Sequence, residues 1–185
     1  LWIVTHYDRL AGGYQFQVAI PWMRSLGIGL HLGVDGMSVV LVLLHAICAF
    51  AGVLISYAIK ERVKEYYIFY LVLITGVFGV FLSLDLFFFY FFYEMAVIPM
   101  YPLIGVWGSD VKEGQTVRFT KEYAAMKLTI YLTLGAVLAL LGLLWLYVRS
   151  GAQTFDLVAL QEHFASKPLD PSLQRAIFPL LAVGF

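Results

Sequence analysis

The chain has 185 residues, of which 62% are hydrophobic and 13% charged, with a mean hydropathy of +0.85. Soluble domains hold about 45–50% apolar and about 25% charged residues, so this composition describes a polytopic membrane protein. Zero formal net charge argues against a nucleic-acid partner, and the single Cys48 excludes an intrachain disulfide and any Cys-rich metal or iron–sulfur site.

Residues 1–34 contain no spanning run. Asp8, Arg9, Arg24, Gly12, Gly13 and Pro21 predict an extramembrane or interfacial segment with a short strand around Tyr14–Ile20, and Trp2 and Trp22 suit the headgroup region. No basic leader precedes an apolar stretch, the first residue is not Met, and the last ten residues are apolar, so the chain reads as a piece of a longer polypeptide. A four-helix transmembrane bundle is expected over 35–148, an extramembrane segment over 149–175, and the start of a fifth span over 176–185. The fold class is therefore an all-α polytopic helical bundle.

Within the bundle the helices are expected at about 37–59, 66–84, 86–107 and 122–148. KERVKE (60–65) makes a tight polar loop between the first two. Gly76 and Gly79 in the second permit close helix approach. The turn at Ser83–Asp85 is so short that the second and third spans must be antiparallel neighbours. A mixed-charge loop over 108–122 precedes the fourth. The segment 149–175 has room for a short amphipathic helix. Loops 58–65 and 108–122 carry three Lys or Arg each and the 83–85 turn none, so the positive-inside rule places both loops in the cytoplasm and the N-terminal segment in the periplasm.

The third span, DLFFFYFFYEMAVIPMYPLIGVW, carries Glu94 about 12 Å from its start, near the bilayer midplane. An acid there costs several kcal/mol on insertion scales and is read first as functional. Burial raises its pKa and a nearby cation lowers it, so it can be poised to gain and lose a proton; the competing reading is a permanently protonated structural acid. Pro99 and Pro102 cannot donate to the carbonyls of Met95 and Ile98, which predicts a bend and two free acceptors able to hold water.

Lys127, about one turn inside the fourth span, is either a relay amine and counter-ion for Glu94 or a snorkelling lysine. Asp35 and Asp85 read as helix N-caps, with proton entry the alternative role for Asp35. His45, near the centre of the first span, reads as a neutral, hydrogen-bonded histidine rather than a relay. His6, His31 and His163 are too scattered to hold haem or zinc with it, and no Walker loop, GxGxxG, HExxH or Ser/His/Asp arrangement is present. What remains is moving something across the membrane, binding partners, or both.

HLGVDGMSVVLVLL (31–44), GVFLSLDLFFFYFFYEMAVIPMYPLIGVWG (79–108) and YAAMKLTIYLTLG (123–135) together resemble the antiporter-like subunit M family of bacterial respiratory complex I, the counterpart of mitochondrial subunit 4. FQVAIPWMRSLGIGLHL (16–32) resembles the stretch before that family's third helix. The acid followed by Met-x-x-Ile-Pro-Met-Tyr separates this family from the related L and N subunits and the Mrp antiporters. The resemblance implies an antiporter-like inverted-repeat fold. It matches Glu94 to the buried acid of the fifth helix, Lys127 to the lysine opening the sixth, and Asp35 to the acid before the third. A lysine on a broken seventh helix, the family's partner to the acid, would lie past Phe185. His45 matches nothing in the pattern.

The implied activity is proton translocation by a charge-coupled Glu/Lys relay within NADH:quinone oxidoreductase. No redox site, metal or cofactor is expected in this chain; FMN, iron–sulfur clusters and quinone belong to partner subunits. The implied partners are the other membrane-arm subunits, especially the L-like and N-like ones, and lipids, in the bacterial cytoplasmic membrane. An Mrp-type cation/proton antiporter subunit and a non-pumping membrane spacer are the alternatives.

Overall fold

A computed structural model describes residues 2–8, 10–113 and 116–184. Its elements are α1 (Trp2–His6), β1 (Gln15–Met23), β2 (Ile28–Val34), α2 (Gly36–Ile55), α3 (Val63–Leu82), α4 (Leu86–Trp107), β3 (Val111–Glu113), β4 (Thr116–Phe119), α5 (Lys121–Ser150), α6 (Leu157–Ser166) and α7 (Pro171–Gly184). α2 with the 3₁₀ turn that follows it, α3, α4 and α5 are long and apolar enough to cross a membrane. The helical bundle is as the sequence indicates, with α2 ending at Ile55 and α3 beginning at Val63, earlier than expected in both cases.

Two β-hairpins join the helices. β1 and β2 pair antiparallel, with Ile20 opposite Leu30 and Ala19 opposite His31, so the strand expected around Tyr14–Ile20 is half of a longer ribbon. Arg24–Leu26 form a 3₁₀ turn that ends on Gly27 at φ +65, a conformation glycine adopts without strain. A side chain at Gly27 would strike the carbonyl of Gln153. The 108–122 loop holds the second hairpin, β3 with β4.

The spans pack through small residues. A Cβ at Gly76 would lie 2.7 Å from the backbone nitrogen of Ala96, and one at Gly79 would enter the Phe92 ring. Ala125, Ala136 and Ala139 are the fully covered residues of α5, and Gly184 closes on Ala139 from α7. Lipid tails are as apolar as leucine, so close approach of backbones rather than burial of large side chains holds such helices together. α2 is fastened to α3 by polar contacts instead: Tyr70 Oη donates to the Ala49 carbonyl at 2.8 Å, and Ser56 Oγ and Tyr66 Oη lie 2.7 Å apart.

Large buried side chains gather at one end. Ile28, Val34, Leu84, Phe155 and Leu160 pack where β2, the 83–85 turn and residues 154–157 meet. The backbone ties these segments directly. Leu84 N donates to the His31 carbonyl at 2.7 Å, Leu86 N to Phe155 at 2.9 Å, and Leu157 N to Leu84 at 2.8 Å. This knot holds the start of α4, and so sets the depth of everything along it.

Candidate functional site

α4 begins on a fully buried cap. Asp85 is 1% exposed, and its Oδ1 accepts from Phe87 N at 2.9 Å and Phe88 N at 3.1 Å while Oδ2 accepts from Gly29 N at 3.2 Å. The helix runs through Pro99 and Pro102 to Trp107 as one element. Neither proline has an N–H, so the carbonyls of Met95 and Ile98 lose their helical donors within two turns of Glu94.

Phe92, Ala96 and Pro99 share the face turned to α3, as the Gly76 and Gly79 contacts require. Glu94 lies on the opposite side with Tyr101 and Gly105, and Gly105 faces Ala125 of α5. Glu94 is half-buried. Tyr90, one turn earlier, and Tyr93 stand close enough for their hydroxyls to interact with its charge. Glu94 makes no ion pair among the described residues. It is a carboxyl in aromatic surroundings, within about one turn of the carbonyls whose helical donors the prolines remove.

The structure does not bring Lys127 to Glu94. From the Gly105–Ala125 contact the two antiparallel helices place Lys127 level with Leu103, about 14 Å along the axis from Glu94. Lys127 is exposed on the side of α5 away from α4, its Nζ 6.0 Å from the ring centroids of Tyr123 and Tyr131. The counter-ion reading of Lys127 is thus not met among the described residues. Its helix turns Ala125 and Thr129 to α4 instead, and Lys127 is half a turn from both.

The two caps are where the sequence puts them. Asp35 caps α2, its Oδ1 accepting from Ser38 N at 2.7 Å, and that N–H bond lowers the carboxyl from its ordinary value. Asp85 is moved the other way, raised chiefly by burial against the pull of its three N–H donors. His45 lies between α2 and α3, its Nε2 3.3 Å from the Ile74 carbonyl and its ring edge-on to Phe78.

One polar cluster escaped the sequence reading. His31 Nδ1 lies 2.5 Å from Asp156 Oδ2, and Asp156 Oδ1 caps α6 by accepting from Ala159 N at 2.9 Å. Asp156 ahead of LVAL is a legible cap signal. Its meeting with His31 across 125 residues leaves no mark in the sequence.

The chain is thus a bundle of helices long and apolar enough to span a membrane, with a half-buried acid on a capped, proline-containing one. Residues 83–185 match the model of the NADH:quinone oxidoreductase/Mrp antiporter transmembrane family, and the chain belongs to that family. It is 33% identical over 186 residues to NADH-quinone oxidoreductase subunit M of Rickettsia felis, covering 99% of this chain and 36% of that protein. Over 175 residues it is 35% identical to subunit M of Pseudomonas aeruginosa, covering 92% and 34%, and over 177 residues 34% identical to subunit M of Escherichia coli K12, covering 93% and 32%. The chain therefore spans about a third of the length of these relatives. Its fold matches a chain of respiratory complex I from Thermus thermophilus with a TM-score of 0.82 at 23% identity, covering 99% of this chain and 35% of that one. A chain of a membrane-bound sulfane sulfur reductase, an archaeal respiratory membrane complex, matches with a TM-score of 0.72 at 17% identity.

Proposed function

We propose that the chain is part of a proton-translocating membrane subunit of an NADH:quinone oxidoreductase, with Glu94 as the group that binds and releases the proton. One observation carries the reading: a carboxyl deep in a spanning helix, flanked by tyrosines, with neither a salt-bridge partner among the described residues nor full burial to lock it neutral. Its charge state is then set by whatever cation approaches. At an effective dielectric near 20, a unit charge moving from 4 to 8 Å changes the interaction by about 2 kcal/mol, or more than one pKa unit. Such an approach and withdrawal would load and discharge Glu94 without redox chemistry at this site. FMN, iron–sulfur clusters and quinone would act in partner subunits, and the other membrane-arm subunits, especially the L-like and N-like ones, would be its neighbours in the membrane.

In this scheme Lys127, turned away from α4 and about 14 Å along the axis from Glu94, takes no direct part in loading Glu94. Asp35, Asp85 and His45 are structural. The cytoplasmic membrane is the proposed location, with the β1–β2 hairpin on the periplasmic side because loops 58–65 and 108–122 are richer in Lys and Arg.

An Mrp-type antiporter would use the same acid with Na⁺ or K⁺ as counter-transported ion, and the family description embraces both kinds. The test is Glu94→Gln in the assembled complex, with proton uptake by vesicles driven by NADH. Uptake is expected to fall at least tenfold with assembly intact on native gels, and Glu94→Asp to retain part of it. Wild-type pumping by the Gln variant would make Glu94 structural. NADH-independent, Na⁺-driven proton movement lost in the same variant would favour the antiporter.

A further inference from the structure

A cavity of about 610 Å³ lies between the β1–β2 hairpin and the first turns of α4, walled by Trp22, Phe87, Phe88, Phe91, Pro21 and Leu30. Its size falls in the roughly 300–1,000 Å³ range of small-molecule sites. Trp22 stands 5.9 Å from Phe87 and 5.7 Å from Phe88, ring centre to ring centre, yet remains 60% exposed. The wall is almost wholly carbon. It suits an acyl chain, whereas a peptide laid there would leave its N–H and C=O groups unpaired.

Ile20, Pro21 and Leu30 also border a second cavity of about 350 Å³, less apolar than the first. There the exposed Arg24 guanidinium has no hydrogen-bond or ion-pair partner among the described residues, and Asp156 lines the same space beside His31. Arg24 is the free cation there; of the two carboxylates on the lining, Asp85 is buried under three N–H donors and Asp156 stays partly exposed beside His31, a set that complements a headgroup carrying both signs. The paired cavities sit where α4 enters its spanning stretch at Leu86, with Trp22 on the wall of the apolar one, the level at which Trp and lipid headgroups meet. We propose that the joined cavities bind one zwitterionic glycerophospholipid, with an acyl chain against Trp22, Phe87, Phe88 and Phe91, the phosphate on Arg24 and the ammonium toward Asp156. The lipid fills the packing between hairpin and α4 that the described residues leave open.

The test uses the assembled membrane complex supplied with phosphatidylethanolamine or phosphatidylglycerol bearing a diazirine in one acyl chain. After irradiation and digestion, labelled peptides are counted by mass spectrometry. The ethanolamine lipid is expected to label peptides holding Trp22 or Phe87–Phe91 well above the lipid-facing stretch 40–50 of α2, and the glycerol lipid is not. Arg24→Gln is expected to cut the specific labelling about fivefold, the order set by one basic side chain at a headgroup, with assembly and α2 labelling unchanged. Equal labelling of the two stretches, equal labelling by the two lipids, no response to Arg24→Gln, or cross-linking of Trp22 to another subunit would each overturn the proposal. None of these readouts depends on proton movement, so they stand or fall apart from the role given to Glu94.

Discussion

Asp35 and Asp85 perform the same local task and respond oppositely to pH. Asp35 is half exposed and lowered by its Ser38 bond, so its contribution is present above the ordinary carboxyl range and lost as pH falls through the lowered value. Asp85 is raised by burial, so its contribution is complete below an unfolded value of roughly 3.9 and is lost as pH rises through the raised one. Asp85→Asn keeps an acceptor for Phe87 and Phe88 but cannot ionise. Unfolding of the complex measured from pH 4 to 7 should therefore show a flatter pH dependence in that variant. Asp85→Ala also strands the Gly29 N–H and should cost roughly 2–4 kcal/mol, against about 1 kcal/mol for Asp35→Ala. Both caps were legible in the sequence, because a cap is a matter of neighbours along the chain. The burial of Asp85 was not, since the atoms that cover it come from Gly29 and from the segment around Asp156.

Among the elements, the α3–α4 contact depends on glycine at two positions, Gly76 and Gly79. Gly79→Val would place two methyl groups where the Phe92 ring now lies, and should destabilise by about 1–3 kcal/mol as overpacked cores do. The loss would appear as a lower midpoint in denaturant titration. Phe92→Ala in the same chain should return part of the loss, because it vacates that space. The spans and their glycines follow from runs of apolar residues and could be read directly. β2 was also readable in principle: Leu30, Leu32 and Val34 alternate with His31 and Gly33, the period of a strand. The interruptions at Pro21 and Gly27 broke the pattern of the hairpin at its turn and hid its second half. The orientation of Lys127 depends on which side of α5 meets α4, which Ala125 and Gly105 decide, and no local pattern around Lys127 records it.

For the whole molecule, cohesion is unevenly shared between slender interhelical contacts of Gly and Ala and one dense knot at the hairpin end. Phe155 is central to the knot, stacked on Tyr147 at 4.3 Å and nearly parallel. Phe155→Ala should cost about 3–5 kcal/mol there. Hydrogen exchange should quicken across Ile28–Val34 and at Leu84 and Leu86, while the amides around Ala136 and Ala139 in α5 keep their protection. Equal acceleration in both places would mean that the bundle and knot unfold as one unit.

The knot also has a history written into it. Its strands lie 125 residues apart at the His31–Asp156 contact. At a synthesis rate of about 5–20 residues per second, the hairpin must wait roughly 6–25 seconds before the segment that clasps it has even been made. Four spans are threaded into the bilayer during that interval, with the buried cap of α4 still open to water and the second cavity without the wall of Thr154 and Asp156. The nascent membrane protein thus threads these four spans before the knot is tied, on the face of the membrane where the hairpin has been left waiting.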